Sequence, residues 1–552
     1  MKSVSKFKQS HKYVFIIGGV MSGVGKGITT ASIGAILKAK GFKVNLIKAD
    51  PYLNVDAGTM NPTEHGEVFV LDSGLETDQD MGNYERFLNT DLTSEDYMTS
   101  GMIYKTVIER ERALGYHGKC VEAIPHVTNE ILERIHKSAI SASASITVIE
   151  IGGTIGDYQN ILFIEAARIL KVRNPEDVAT ILVSFLPVPG TLGEMKSKPT
   201  QNAIHQLNSY GVQADMIVAR SIRPLDQKRK EKIADSTSIP ADNIISAPDI
   251  DSIYDVPLNF AKDSIGEKVL SLLHLKSKKN GKSMRKWQAF VRKKNKAKKK
   301  VKIGVVGKYF DTGDFVLSDA YVSVIEAIKF SSYSLGALPE IEWINAKKLE
   351  SGDRPISFLK KYDGIIVPGG FGESGVEGKI RTIKFCREQK IPYLGLCYGM
   401  QLMVVEYARN VLAWRDAHTT EIDQKTNHPV IHIMPDQEKK LLKSDYGGTM
   451  RLGAYTAVLK RGSIVARAYD KLRVSERHRH RYEVNNTFRS KIEMAGLSFS
   501  GTSEDDKLCE FAELPMSRHP FFVGTQAHPE LKARPLDPHP LFTAFIKAAL
   551  KK

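Results

Sequence analysis

An apolar run at residues 13–17 ends in Gly18-Gly19-Val20-Met21-Ser22-Gly23-Val24-Gly25-Lys26-Gly27 and leads directly into a helix-like stretch at 28–40. A short strand that breaks into glycines and then into a helix is the opening of a parallel α/β layer, whose strands are covered on both faces and so read as continuous apolar runs. The same order restarts at residues 301–306, an apolar run ending at Gly307. Further strands are predicted at 44–47, 146–151, 179–185 and 216–219, and in the second half at 364–367, 393–396 and 522–525. Each is short, rich in β-branched residues and bounded by Gly, Pro or Asp.

Between the halves, residues 276–300 hold 13 Lys or Arg and no Asp or Glu. Outside that stretch 66 basic residues face 63 acidic ones, so the net charge of +16 is concentrated there. Such a run is read as a solvated linker, because like charges repel and Trp287 and Phe290 alone make a poor stacking platform for nucleic acid. Two α/β domains with parallel sheets are therefore expected, 1–275 and 301–552, joined by the basic linker 276–300. A length of 552 residues with 42% apolar content suffices for two cores. No apolar stretch is long enough to cross a membrane, and the polar start with its short apolar segment does not read as a secretory leader. Cys120, Cys386, Cys397 and Cys509 are too few for a disulfide framework, so a reducing, cytoplasmic setting is expected.

The glycines before the first helix can aim backbone N–H groups at a polyphosphate, with the helix N-terminus adding a favourable dipole. Lys26 would neutralise the β- and γ-phosphates. Gly27 stands where a standard P-loop has the Ser or Thr that binds magnesium. The metal must then take oxygen ligands from carboxylates elsewhere, and the candidates are Asp80 and Glu150. Glu150 closes an otherwise apolar strand, where a buried carboxylate is costly without a purpose. A second basic element, Lys196-Ser197-Lys198-Pro199-Thr200-Gln201, could hold another phosphorylated ligand; an exposed turn is its plain alternative.

In the second half a strand enters Gly395-Leu396-Cys397-Tyr398-Gly399-Met400-Gln401 and a helix leaves it. That is a nucleophile elbow with Cys in place of Ser, and the helix N-terminus favours thiolate. In Gly524-Thr525-Gln526-Ala527-His528-Pro529-Glu530, positions i and i+2 point the same way in extended chain, so Glu530 can orient His528. Cys397, His528 and Glu530 then form a triad for acyl transfer, and Pro368-Gly369-Gly370-Phe371-Gly372 can supply oxyanion donors. The other three cysteines lack such surroundings and are read as structural or incidental.

Taken together, these residues resemble the CTP synthase family, glutamine-dependent enzymes that aminate UTP, across both domains. The resemblance rests on Ser22–Gly27, Asp50-Pro51-Tyr52-Leu53-Asn54-Val55-Asp56, Gly58-Thr59-Met60 and His65-Gly66-Glu67-Val68-Phe69-Val70, with Tyr84-Glu85-Arg86-Phe87, 196–201 and 477–486. It implies that ATP phosphorylates the uracil O4 of UTP and that ammonia displaces the phosphate. By resemblance, ATP lies against Ser22, Gly23, Val24, Gly25, Lys26, Gly27, Lys48, Asp80, Pro248, Asp249 and Ile250, with Mg2+ on Asp80 and Glu150. UTP, or CTP as feedback inhibitor, meets Ser22, Asp157, Tyr158, Gln159, Lys196, Ser197, Lys198, Pro199, Thr200, Gln201 and Lys232. Glutamine meets Gly370, Tyr398, Gly399, Met400, Gln401, Glu421 and Arg481, and His65 lines the ammonia passage. GTP activation, a homotetramer and no membrane or nucleic-acid partner complete the expectation.

Two positions depart from the family pattern. Tyr158-Gln159 replaces Ile-Glu in the CTP-facing loop, which implies weakened or altered product inhibition. Ser374 replaces an Arg, which implies a weak GTP response. Two rivals are weighed: another P-loop amidoligase with a fused glutaminase, of the cobyrinate diamide synthase type, and a nucleic-acid-binding protein using the basic segment.

Overall fold

The computed structural model describes residues 11–190, 193–278, 282–307, 318–434, 437 and 448–552. The chain divides into two compact units, Met1–Asp56 with Asn83–Val291, and Ala57–Gly82 with Arg292–Lys552.

The first unit is built on seven strands: β1 (Lys12–Gly18), β2 (Val44–Asp50), β3 (Tyr97–Thr99), β4 (Ile146–Ile151), β5 (Val178–Phe185), β6 (Met216–Ser221) and β7 (Ile244–Pro248). They lie in the order β3-β2-β4-β1-β5-β6-β7, every neighbouring pair parallel. Every residue of β1 and β4 is buried, as expected for a sheet with helices on both faces. The order reverses direction around β1, and ligands of open α/β sheets bind outside the carboxyl ends at such a point. Gly18 and Glu150 both stand at those ends.

The main sheet of the second unit is formed by β8 (Lys299–Gly307), β9 (Ala337–Asn345), β10 (Gly364–Val367), β11 (Tyr393–Leu396), β12 (Arg451–Leu459), β13 (Arg473–His480), β14 (Ser498–Ser503), β15 (Cys509–Glu513) and β16 (Phe522–Thr525). The sheet runs β9-β8-β10-β11-β16-β15-β14-β12-β13. Its first five strands are parallel, and the last four extend it antiparallel. The second domain is thus α/β as expected, its parallel strands carrying an antiparallel extension.

Two expectations need correction. Residues 57–82, assigned to the first domain by continuity, pack with the second unit. The basic stretch is more than a solvated linker, because it contains the helix Lys282–Lys296. Trp287, Phe290 and Val291, spaced three and four apart, are buried on one face of it. The Trp287 ring lies 5.1 Å from that of Phe87, and its Nε1–H donates to the Tyr254 carbonyl at 2.8 Å. Its outward face carries exposed Arg285, Lys286, Arg292, Lys293 and Lys296. Among the described residues no helix is long and apolar enough to cross a membrane.

Candidate functional site

In the first unit, the turn after β1 is shaped by positive φ at Val20, Gly23 and Gly25. Gly25, at φ 89°, caps the helix Lys26–Ala39 without a side-chain bond, leaving the first N–H groups of that helix pointed outward. The Lys26 ammonium donates to the Gly153 carbonyl at 2.8 Å. Three residues before Gly153, the Glu150 carboxylate accepts from Lys48 Nζ at 2.8 Å and from the Tyr84 hydroxyl. Asp50 stands 3.6 Å from the same ammonium. Lys26, Lys48 and Glu150 are all buried. Lys48, Asp50 and Glu150 are therefore held together on two adjacent strands, with Lys26 at the start of the helix, an arrangement suited to a polyphosphate with a hard cation.

The Gly152–Asn160 turn is braced from within. Asp157 Oδ2 accepts from the Thr154 N–H at 2.6 Å, and Asn160 Nδ2 donates to the carbonyls of Gly152 and Thr154. Beyond it Tyr158 is 92% exposed and Gln159 is exposed. Within 196–201, Thr200 is buried on Ser184 at 2.8 Å and Gln201 donates to Ser197 at 3.3 Å. Lys198 and Lys232 are exposed, and Lys196 contacts Glu194 at 2.6 Å. Pro248 ends β7, and Asp249 accepts from Arg220 at 2.9 Å. The Arg220 side chain runs 3.5 Å from where a Cβ on Gly25 would stand. Sequence reading passed over Arg220, Tyr84 and Asp50; the last two lie inside the family-like segments, and Arg220 had no signal.

Asp80 lies in the first turn of the helix Gln79–Leu88, half-buried, and belongs with the second unit.

In the second unit, Cys397 sits between β11 and the helix Tyr398–Asn410 with φ 48° and ψ −100°, a conformation strained for a residue with a side chain. The elbow is tight: a Cβ on Gly399 would lie 2.1 Å from the Val367 carbonyl oxygen. His528 Nδ1 and Glu530 Oε1 are 2.7 Å apart, both side chains buried or nearly so. Burial works against charge on His528, but the carboxylate of Glu530 and the sulfur of Cys397 outweigh it and hold its pKa well above the usual value. A cavity of ≈ 550 Å³ is lined by Cys397, His528 and Glu530 together with Gly369, Gly370, Phe371 and Arg481.

Arg481 donates to Thr449 at 3.0 Å and to Gln437 at 3.2 Å. Glu421 accepts from the Gly372 N–H at 2.6 Å, and Tyr398 donates to the Gly372 carbonyl at 3.2 Å. Gly399, Met400 and Gln401 are buried behind the elbow. Gln526, which sequence reading left without a role, donates from Nε2 to the Cys397 sulfur at 3.6 Å while its Oε1 accepts from Gln401 at 3.2 Å. The neighbouring histidines are no substitutes for His528. His478 and His480 are buried beside Arg451, and His480 is pushed down to about 3.

Residues 12–275 match the family model described as CTP synthase N-terminus, and residues 316–548 match that of glutamine amidotransferase class-I. The chain is similar to the CTP synthase of Pyrococcus abyssi, 47% identical over 540 residues and 98% of each chain. It is 46% identical to that of Thermococcus gammatolerans over 543 residues, 98% of this chain and 99% of the relative. The CTP synthase of Caldanaerobacter subterraneus is 46% identical over 541 residues, 98% of each.

Proposed function

The chain belongs to the CTP synthase family, a group of glutamine-hydrolysing ligases that use ATP, and from that premise we propose which of its residues carry each half of the reaction. The Cys397 thiolate attacks the side-chain amide carbon of glutamine. His528, oriented by Glu530, gives a proton to the leaving nitrogen, and ammonia departs. Water then opens the glutamyl thioester, restoring the thiol and releasing glutamate. Gly369 and Gly370 flank the developing oxyanion, and Arg481 meets the substrate carboxylate.

In the first unit Lys26 and Lys48 face the phosphates of ATP while 196–201 and Lys232 hold UTP. The γ-phosphoryl group passes to the uracil O4, and ammonia displaces it as phosphate to give CTP. The carboxylate oxygens of Glu150 and Asp80 are the donor type that suits Mg2+, and the buried Glu150 beside Lys48 fits a residue kept for a charged ligand. Bound there, the metal would supply neutralisation of polyphosphate charge. Four further readings rest on the resemblance: GTP as activator, CTP as inhibitor, a homotetramer and a cytoplasmic setting. The cobyrinate-type and nucleic-acid readings are not favoured beside near full-length likeness to CTP synthases.

The observation that carries this proposal is the 2.7 Å His528–Glu530 pair lining one cavity with the strained Cys397. Incubation with ATP, UTP, glutamine and magnesium tests it. CTP, phosphate and glutamate should appear in equal amounts; glutamate release without any CTP would refute the UTP assignment.

A further inference from the structure

A short hairpin in the second unit, Phe69–Val70 paired antiparallel with Glu76–Thr77, has no part in the chemistry above. It lies in the stretch matched by the CTP synthase N-terminal model, yet packs with the unit that holds the triad. Its acids meet two arginines of β13 that are two residues apart and so project from one face. Asp72 Oδ1 accepts from Arg477 Nε at 2.5 Å, and Glu76 Oε1 accepts from Arg479 Nε at 2.8 Å. The second oxygen of Asp72 accepts from Lys532 at 3.2 Å, at the end of the turn Pro529–Lys532 that contains Glu530. Arg477 and Glu76 are buried. Backbone contacts hold the hairpin as closely: the Ala454 N–H donates to the Asp72 carbonyl at 3.0 Å. A Cβ on Gly453 of β12 would stand 2.7 Å from that carbonyl oxygen.

The carbonyls of the same two arginines face the triad. Arg477 O accepts from the His528 N–H at 2.7 Å, and Arg479 O accepts from the Cys397 S–H at 3.8 Å. Each hairpin acid thus grips the side chain of a residue whose main chain supports one triad member. We propose that Asp72 and Glu76 are positioning residues of the glutaminase, fixing His528 and Cys397 through Arg477 and Arg479; this rests on the glutaminase reading given above. Charge-assisted pairs of this kind hold a strand within the tolerance that acyl transfer needs.

The test uses full-length Asp72→Asn, Glu76→Gln and the conservative Asp72→Glu, with kcat and KM for glutamine hydrolysis and the rate of CTP formation from ammonium. The neutral variants should lose about tenfold to 100-fold in glutaminase kcat, the cost of a small misplacement of reacting groups. Their KM should move far less than kcat, since neither Asp72 nor Glu76 itself lines the cavity, and ammonium-dependent synthesis should match the parent. Asp72→Glu should recover most of the lost kcat. Parent-like kcat in both neutral variants would overturn the proposal, and so would an equal loss with ammonium, which marks general damage to the fold. Absence of ammonium-dependent CTP in the parent would overturn the UTP reading instead, leaving the kcat comparison to judge the hairpin.

Discussion

Replacing Glu530 by Gln keeps the shape of the triad and removes one charge. In the folded protein the His528 and Glu530 heads touch at 2.7 Å with both side chains shielded from water. With charge centres about 4 Å apart and an effective dielectric of about 20, the attraction lost on the imidazolium is about 4 kcal/mol. At about 1.4 kcal/mol per decade, glutaminase kcat should fall by about three orders of magnitude. The sign of the pH effect follows from the same pair. Burial opposes charge on His528, and the Glu530 carboxylate and the Cys397 sulfur more than offset it, so its folded pKa lies above its unfolded one. That contribution to stability is complete below the ordinary histidine value and is lost as pH rises through the raised folded value. Glu530→Gln removes the largest raising influence, so this dependence of stability on pH above the ordinary histidine range should weaken. Steady-state glutamate release, with urea unfolding at several pH values, reads both effects. A variant kcat within about tenfold of the parent would refute this account of Glu530.

Two further substitutions probe other parts of the chain. Trp287→Ala empties the site between Phe87 and Tyr254 and should destabilise the first unit by about 3–5 kcal/mol in urea unfolding, as large aromatic deletions do; an unchanged midpoint would mean that the basic helix is not docked. Ser374→Arg should increase GTP stimulation of glutamine-dependent CTP synthesis, which should be small in the parent; strong stimulation of the parent would refute the reading of Ser374.

The parallel cores could be read from sequence because their strands are mostly apolar and β-branched: residues 146–151 and 179–185 announce themselves, and each falls inside an observed strand. The antiparallel extension could not. β13 reads Arg473, Glu476, Arg477, His478, Arg479 and His480, a charged string, and its burial depends on partners such as Asp72 and Glu76, some 400 positions away. The basic helix hid its apolar face for a related reason: three buried residues at helical spacing are outweighed by cations in any composition count. At the thiol site the glycine-flanked cysteine and the His-x-Glu pair depend on local geometry, so they were readable. Gln526 and the arginine carbonyls reach Cys397 and His528 only through tertiary folding, and no local pattern announces them.

The central claim is that one chain carries two separable chemistries joined by ammonia, and CTP formation by Cys397→Ala with ammonium as nitrogen source tests it most directly. Removing the thiol abolishes the glutamyl thioester but leaves Lys26, Lys48 and Glu150 in place. At alkaline pH, where free ammonia is available, the variant should make CTP from ATP and UTP at about the parent's rate and none from glutamine, whereas Lys26→Ala should fail with either source. A folded Cys397→Ala protein unable to use ammonium would contradict the account.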